Sequence, residues 1–160
     1  MAVDVETEIV IDRPIEDVAT YAADPTNAPA WYANIDSVDW KTPQPLAVGS
    51  AVAFVARFLG RRLEYIYEIV ELKPGARLVM RTQQGPFPME TTYTWTATDS
   101  GATHMTLRNR GEPTGFSKVA APMIETAMRR TSRKDLANIK HILEADPRPP
   151  RRARRSRRAM

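Results

Sequence analysis

The chain has 160 residues, 42% hydrophobic and 26% charged, which are the proportions of one globular domain with a sizeable core. It has no cysteine, so disulfides and thiol catalysis are excluded. The formal charge of +4 is unevenly spread: seven of the 23 basic residues, Arg148, Arg151, Arg152, Arg154, Arg155, Arg157 and Arg158, lie in the C-terminal stretch, and the remaining 16 face 19 acidic residues, a balance of −3.

The opening sequence MAVDVETEIVID carries acids where a secretion signal needs a basic region and an apolar run. No stretch approaches the ~20 apolar residues of a membrane span. A cytoplasmic protein is therefore expected. From Val3 to Asp12 the residues alternate, with Val3, Val5, Thr7, Ile9 and Ile11 on one side and Asp4, Glu6, Glu8 and Asp12 on the other. That pattern predicts a strand with one buried face. Pro14 suits the start of a helix whose stripe is Ile15, Val18, Ala19 and Ala22, and Asp24-Pro25 ends it. PTNAPAWYANI predicts a second short helix interrupted at Pro29, with Trp31 and Tyr32 side by side.

From Val38 to Arg110 the period is two. AVAFVARF places Val52, Phe54, Ala56 and Phe58 together, and LGRR is a tight connection. LEYIYEIV then sets a wholly apolar and aromatic face, Leu63, Tyr65, Tyr67 and Ile69, against Glu64, Ile66, Glu68 and Val70. KPGA and DSGA are turns. Between and after them run RLVMRT, the loop QQGPFP, a strand with Met89, Thr91, Tyr93 and Trp95 on one face, and a strand with Met105, Leu107 and Asn109 on one face. After GEPTG the period changes to three and four: Phe116, Val119, Ala120, Met123, Ile124, Ala127, Met128, Leu136, Ile139 and Leu143 mark one long helix to about Ala145. Pro122 either kinks it or marks a later start. Prolines 147, 149 and 150 end the ordered part. The expectation is one domain over 1–146 and a disordered Arg-rich tail over 147–160.

The predicted fold is α+β: a half-buried antiparallel sheet, two short helices after the first strand, and one long helix to cover the apolar face. A curved sheet wrapped around one helix leaves space between them, where ligands bind. This order of elements, with IVIDRPIEDVATYAAD, VGSAVAF, YEIVELKPGARLVMRT and the closing helix, resembles the helix-grip fold of the START-like superfamily, and more narrowly its bacterial polyketide cyclase/dehydrase and lipid-transport (SRPBCC) group. The match spans about Val3 to Ala145. The resemblance implies a deep cavity for a hydrophobic molecule. The group includes cyclases, lipid and sterol carriers, hormone binders and chaperone activators, so it does not fix a function.

By strand parity the expected cavity wall is Phe54, Tyr65, Tyr67, Met80, Met89, Thr91, Tyr93, Trp95, Met105 and Asn109. Trp31 and Tyr32 are expected at the mouth, and Met123 and Met128 above, on the helix. The same residues would also serve as a filled core. Buried phenol and indole groups need partners and would offer polar handles to a ligand. Catalysis requires an ionisable group in that cavity, and parity places none there: His104, Glu64, Glu68 and Glu90 share the outer face, and His141 lies near the helix end. No metal ligand cluster is visible, no phosphate loop, and no cofactor is expected. The expected partner is a small hydrophobic ligand such as a lipid, isoprenoid or polyketide. The alternatives are a cyclase or dehydratase and a ligand-modulated partner-binding domain. The tail is expected to give at most a weak, salt-sensitive contact with polyanions or anionic membranes.

Overall fold

The computed structural model describes residues 2–85, 88–112 and 121–145. The Arg-rich tail, the 116–120 portion of the expected helix and residues 86–87 of the expected QQGPFP loop lie outside those residues, and Gln83 and Gln84 of that loop belong to the strand that ends at Gln84. Seven strands form one antiparallel sheet: β1 (Val3–Ile11), β2 (Ile35–Trp40), β3 (Ala51–Phe58), β4 (Arg61–Lys73), β5 (Arg77–Gln84), β6 (Met89–Ala97) and β7 (Thr103–Gly111). Their order is β1-β7-β6-β5-β4-β3-β2, so β1 crosses over to pair with the last strand and each remaining neighbour is a hairpin partner. Between β1 and β2 lie α1 (Ile15–Ala23), a 3-10 turn (Pro25–Asn27) and the single-turn α2 (Ala28–Trp31). The long helix α3 (Ala121–Glu144) closes the structure. This is the helix-grip arrangement, α+β, that the sequence resembles.

The alternation seen in the sequence is kept in β1 and β4, and is broken in β5 and β6, where Leu78, Val79 and Met80, and Thr91, Thr92 and Tyr93, are buried in succession. In β1, Val3, Val5, Thr7 and Ile11 are buried while Asp4, Glu6 and Glu8 are exposed. In β4, Leu63, Tyr65, Tyr67 and Ile69 are all buried. The polar face is tied by charge pairs between neighbouring strands, such as Arg108 with Asp4 at 2.6 Å and Glu90 with both Arg81 and Arg110. Two register shifts interrupt the β4–β5 ladder, at Ile66/Tyr67 and at Ile69/Glu71. Each adds a residue to one strand only, which bends the sheet and increases its twist. The bent sheet rolls around α3.

Among the described residues the helix runs from Ala121 to Glu144, with Pro122 beside its N-terminal bound. Its buried stripe is Ile124, Met128, Ser132, Asp135, Leu136, Ile139 and Leu143. The outer edge of β1 is held to this helix by side chains rather than by another strand. Lys140 Nζ donates to the Val10 carbonyl at 2.8 Å, the Asp12 N–H donates to Glu144 at 2.8 Å, and Arg129 donates to the Glu6 carbonyl at 3.2 Å. Such contacts satisfy edge groups that would otherwise recruit a foreign strand.

The β3–β4 hairpin turns through Leu59 and Gly60, both with positive φ (49° and 75°). A two-residue turn of this kind matches the twist of its strands, but a leucine there strains its backbone. Leu59→Asn is expected to raise stability by about 0.5–1 kcal/mol in urea melts, since asparagine tolerates this conformation. A lower melting midpoint would contradict that assignment of the turn.

Candidate functional site

Between the bent sheet and the N-terminal half of α3 lies a cavity of about 140 Å³. Strands β3 and β4 supply Phe54, Phe58, Leu63, Tyr65 and Tyr67. Strands β5, β6 and β7 supply Met80, Met89, Thr91, Tyr93 and Asn109. The helix contributes Ile124, Met128, Thr131, Ser132 and Asp135, and the α2–β2 connection contributes Tyr32, Asn34 and Ile35. The cavity ends where α1 and the C-terminal half of α3 pack on the sheet. Beneath it lies a void of about 10 Å³, bounded by residues including Ile69, Leu78 and Ala22.

The structure brings together ten of the fourteen residues expected at the site: Tyr32, Phe54, Tyr65, Tyr67, Met80, Met89, Thr91, Tyr93, Asn109 and Met128. Four others lie elsewhere. Met123 is 65% exposed on the outer side of the helix, because Ile124, one position further round, takes the inward place. Trp31 is not at the mouth but wholly buried, with its ring 4.1 Å from that of Tyr32 and 5.8 Å from that of Tyr93. Trp95 and Met105 face each other across β6 and β7 and belong to the packed core beyond the cavity.

The expectation that no ionisable group enters the cavity is overturned by Asp135. Its side chain is only 2% exposed and lines the cavity. The signal was present in the sequence as a gap in the apolar stripe of α3. From Met128, the positions four and seven residues on are Ser132 and Asp135, and both are buried. Asp135 Oδ1 accepts the Ala33 N–H at 2.7 Å. One turn on, Asn138 Nδ2 donates to the Trp31 carbonyl at 3.1 Å. The two bonds fasten the end of α2 to α3, and between them Tyr32 extends into the cavity, where its hydroxyl bonds that of Tyr93.

Across the cavity, the Thr91 hydroxyl donates to Asn109 Oδ1 at 2.7 Å. Close packing fixes Tyr65: a Cβ on Gly85 would lie 2.5 Å from its ring, so only glycine admits the ring there. Tyr65 and Tyr67 have ring centroids 5.8 Å apart, and Phe54 meets Tyr67 edge-on at 5.7 Å.

Burial shapes the acid–base character of the site. It pushes the Tyr67 hydroxyl up to about 12, against an opposing pull from Thr91. Tyr32, Tyr65 and Tyr93 are also raised, chiefly by burial. All four phenols therefore remain hydrogen-bond donors at neutral pH. Burial likewise lifts the Asp135 carboxyl to about 7, although the Ala33 N–H and the charge of Lys134 act in the opposite direction. Among the described lining residues, Asp135 is thus the one that can gain or lose a proton near neutrality. Among the described residues no cluster of three or more histidine, aspartate or glutamate side chains is placed to hold a metal ion.

The sequence model of the family described as "Polyketide cyclase / dehydrase and lipid transport" matches residues 2–144, and the chain belongs to that family. No curated protein matches the sequence. Among solved structures, the chain is similar to a START superfamily protein from Mycobacterium smegmatis (TM-score 0.75, 15% identity, covering 88% of this chain and 97% of that one). It is similar to a protein from Thermus thermophilus (TM-score 0.77, 18% identity, covering 91% and 99%). It is also similar to the Zhui aromatase/cyclase from Streptomyces sp. R1128 (TM-score 0.74, 17% identity, covering 92% and 97%). At these identities the likeness is one of fold. Among the described residues no helix is long and apolar enough to cross a membrane.

The raised carboxyl has a consequence for stability. A carboxyl that holds its proton more tightly when folded than when unfolded favours the folded state at low pH. Its contribution is lost as pH rises from about 4 to about 7. Asp135→Asn keeps an acceptor for the Ala33 N–H and removes the titration. At pH 8 the variant is expected to be more stable than the wild type by on the order of 2–4 kcal/mol, with the difference vanishing near pH 4. Denaturant melts at both pH values check this. An equal difference at pH 4 and pH 8 would contradict it.

Proposed function

We propose that the protein binds a small, largely apolar molecule in the cavity beneath α3. The observation that supports this reading is unfilled volume where a sheet and a helix of this size would ordinarily pack without a gap. At about 140 Å³ the space is close to a ~150 Å³ apolar protein cavity that accepts benzene. It fits one aromatic ring or a short branched chain. A longer lipid, isoprenoid or polyketide would extend beyond this volume. The walls are apolar and aromatic, and the polar atoms gather at Tyr32–Tyr93–Asp135 and at Thr91–Asn109. Such a site takes a ligand by burying its carbon skeleton and orients it through a few polar groups.

Asp135 favours a second reading, an enzyme of the cyclase or dehydratase kind, in line with the family and with the aromatase/cyclase neighbour. A carboxyl that titrates near neutrality is suited to moving a proton to or from a bound substrate. The adjacent phenols would hold a substrate carbonyl by hydrogen bonds while charge develops on its oxygen. The two readings share the cavity and differ in whether the ligand leaves unchanged.

A neutral single-ring compound such as ethylbenzene is expected to saturate one site in the wild type by calorimetric titration. Ala56→Phe, which places a ring at the cavity wall, is expected to weaken that binding at least tenfold while the protein stays folded by circular dichroism. Absence of saturable binding to the wild type would overturn the proposal.

A further inference from the structure

The charge inside the cavity is unbalanced. Among the described residues, Asp135 is the only charged side chain lining it, and no lysine, arginine or histidine does so. Lys134 is its neighbour in sequence but lies exposed. Oδ1 accepts the Ala33 N–H at 2.7 Å. A buried carboxylate without a counter-charge is unstable, and proteins normally supply one or neutralise the group. Here no described wall residue supplies it.

The walls themselves are of a particular kind. Tyr32, Phe54, Phe58, Tyr65, Tyr67 and Tyr93 put six aromatic rings around a space the size of one small molecule. Ring faces carry negative electrostatic potential and attract cations, more strongly once water is excluded. One carboxylate enclosed by aromatic rings, with no basic side chain among the described lining residues, is complementary to a cation that also has an apolar body.

We infer that the cavity's ligand is an organic ammonium, a small aromatic or branched-alkyl amine whose cationic nitrogen lies against Asp135 among the phenol rings. The inference rests on the reading of the cavity as a ligand site and adds the chemical class of the ligand. The amine donates an N–H to Oδ2, its charge offsets that of the carboxylate, and its carbon skeleton fills the space toward Met80 and Met128. No covalent step is involved.

The same geometry sets a pH dependence. The groups facing Asp135 are Tyr32 from the α2–β2 connection, Tyr93 from β6 and, along its own helix, Lys134. The two phenols stay protonated well above neutrality, so Asp135 alone among the described lining groups changes charge between pH 5.5 and 8. An amine that remains protonated across this range must displace the Asp135 proton to bind at the lower pH. Its affinity therefore rises with pH, while that of a neutral molecule of the same shape does not.

The test is calorimetric titration of the full chain with 2-phenylethylamine and with the near-isosteric, neutral 2-phenylethanol at pH 8 and pH 5.5. The amine is expected to bind at least tenfold more tightly than the alcohol at pH 8 and to lose at least threefold of that preference at pH 5.5. In Asp135→Asn the preference should vanish while the alcohol still binds. Equal or tighter binding of the alcohol to the wild type at pH 8 overturns the ammonium inference and leaves the apolar-ligand reading standing. An amine preference that survives unchanged in Asp135→Asn, or that does not weaken at pH 5.5, also overturns it. Binding of neither compound counts against both readings. Should the variant not fold, the wild-type ratio and its pH trend decide the matter alone.

Discussion

One straight helix cannot fill the concavity of a seven-stranded sheet that bends, and the site follows from that mismatch. The bend originates in β4, where two register shifts against β5 bracket Tyr67 and Ile69. Toward one end, α1 helps to fill the concavity: Val18, Ala19 and Ala22 pack with Trp31, Trp95, Met105 and the C-terminal half of α3 into a continuous core. Toward the other end no such element intervenes among the described residues. There the helix presents Ile124, Met128, Ser132 and Asp135 to the sheet across open space. The fold is held by its packed half, and the cavity is what the unpacked half leaves.

Asp135 stands at the boundary between the two halves. It works against stability as a charge, because burial raises its proton affinity, and works for structure as an acceptor, because it holds the Ala33 N–H and with Asn138 secures the end of α2. An asparagine would serve the second role without the first. A titratable group kept where an isosteric neutral one would do is a pointer to function, since perturbed carboxyls gather where ligands or protons are handled. The Tyr32–Tyr93 hydroxyl pair makes the same connection from the sheet side. Tyr32, Tyr93, Asp135 and the helix that roofs the cavity are thus one linked assembly.

Much of this is legible in the residue order. Period-two alternation identifies the inward face of every central strand, which is why Phe54, Tyr65, Tyr67, Met80, Tyr93 and Asn109 are found together. Parity, however, says which face a side chain occupies and nothing about how far along the sheet it lies. Trp95 has the parity of Tyr93 and sits two residues further on, beyond the end of the cavity. Met105, opposite it, shares its place for the same reason. On α3, Met123 and Ile124 are adjacent and diverge by about 100°, and it is Ile124 that turns inward while Met123 is exposed. Asp135 is missed because a search for apolar repeats passes over a polar residue, although the repeat of α3 is interrupted where Ser132 and Asp135 complete it.

The proton-transfer reading and the ammonium inference both depend on the ionisation of Asp135. Carbon-13 NMR titration of the Asp135 side-chain carboxyl, assigned by comparison with Asp135→Asn, measures this directly in the ligand-free protein. A midpoint near 7 is expected, set by burial beside Tyr32 and Tyr93 without a lining counter-charge. A midpoint at or below the ordinary carboxylate value of about 4 would mean that water or a cation already reaches the group, and would contradict the enclosed, uncompensated site described above.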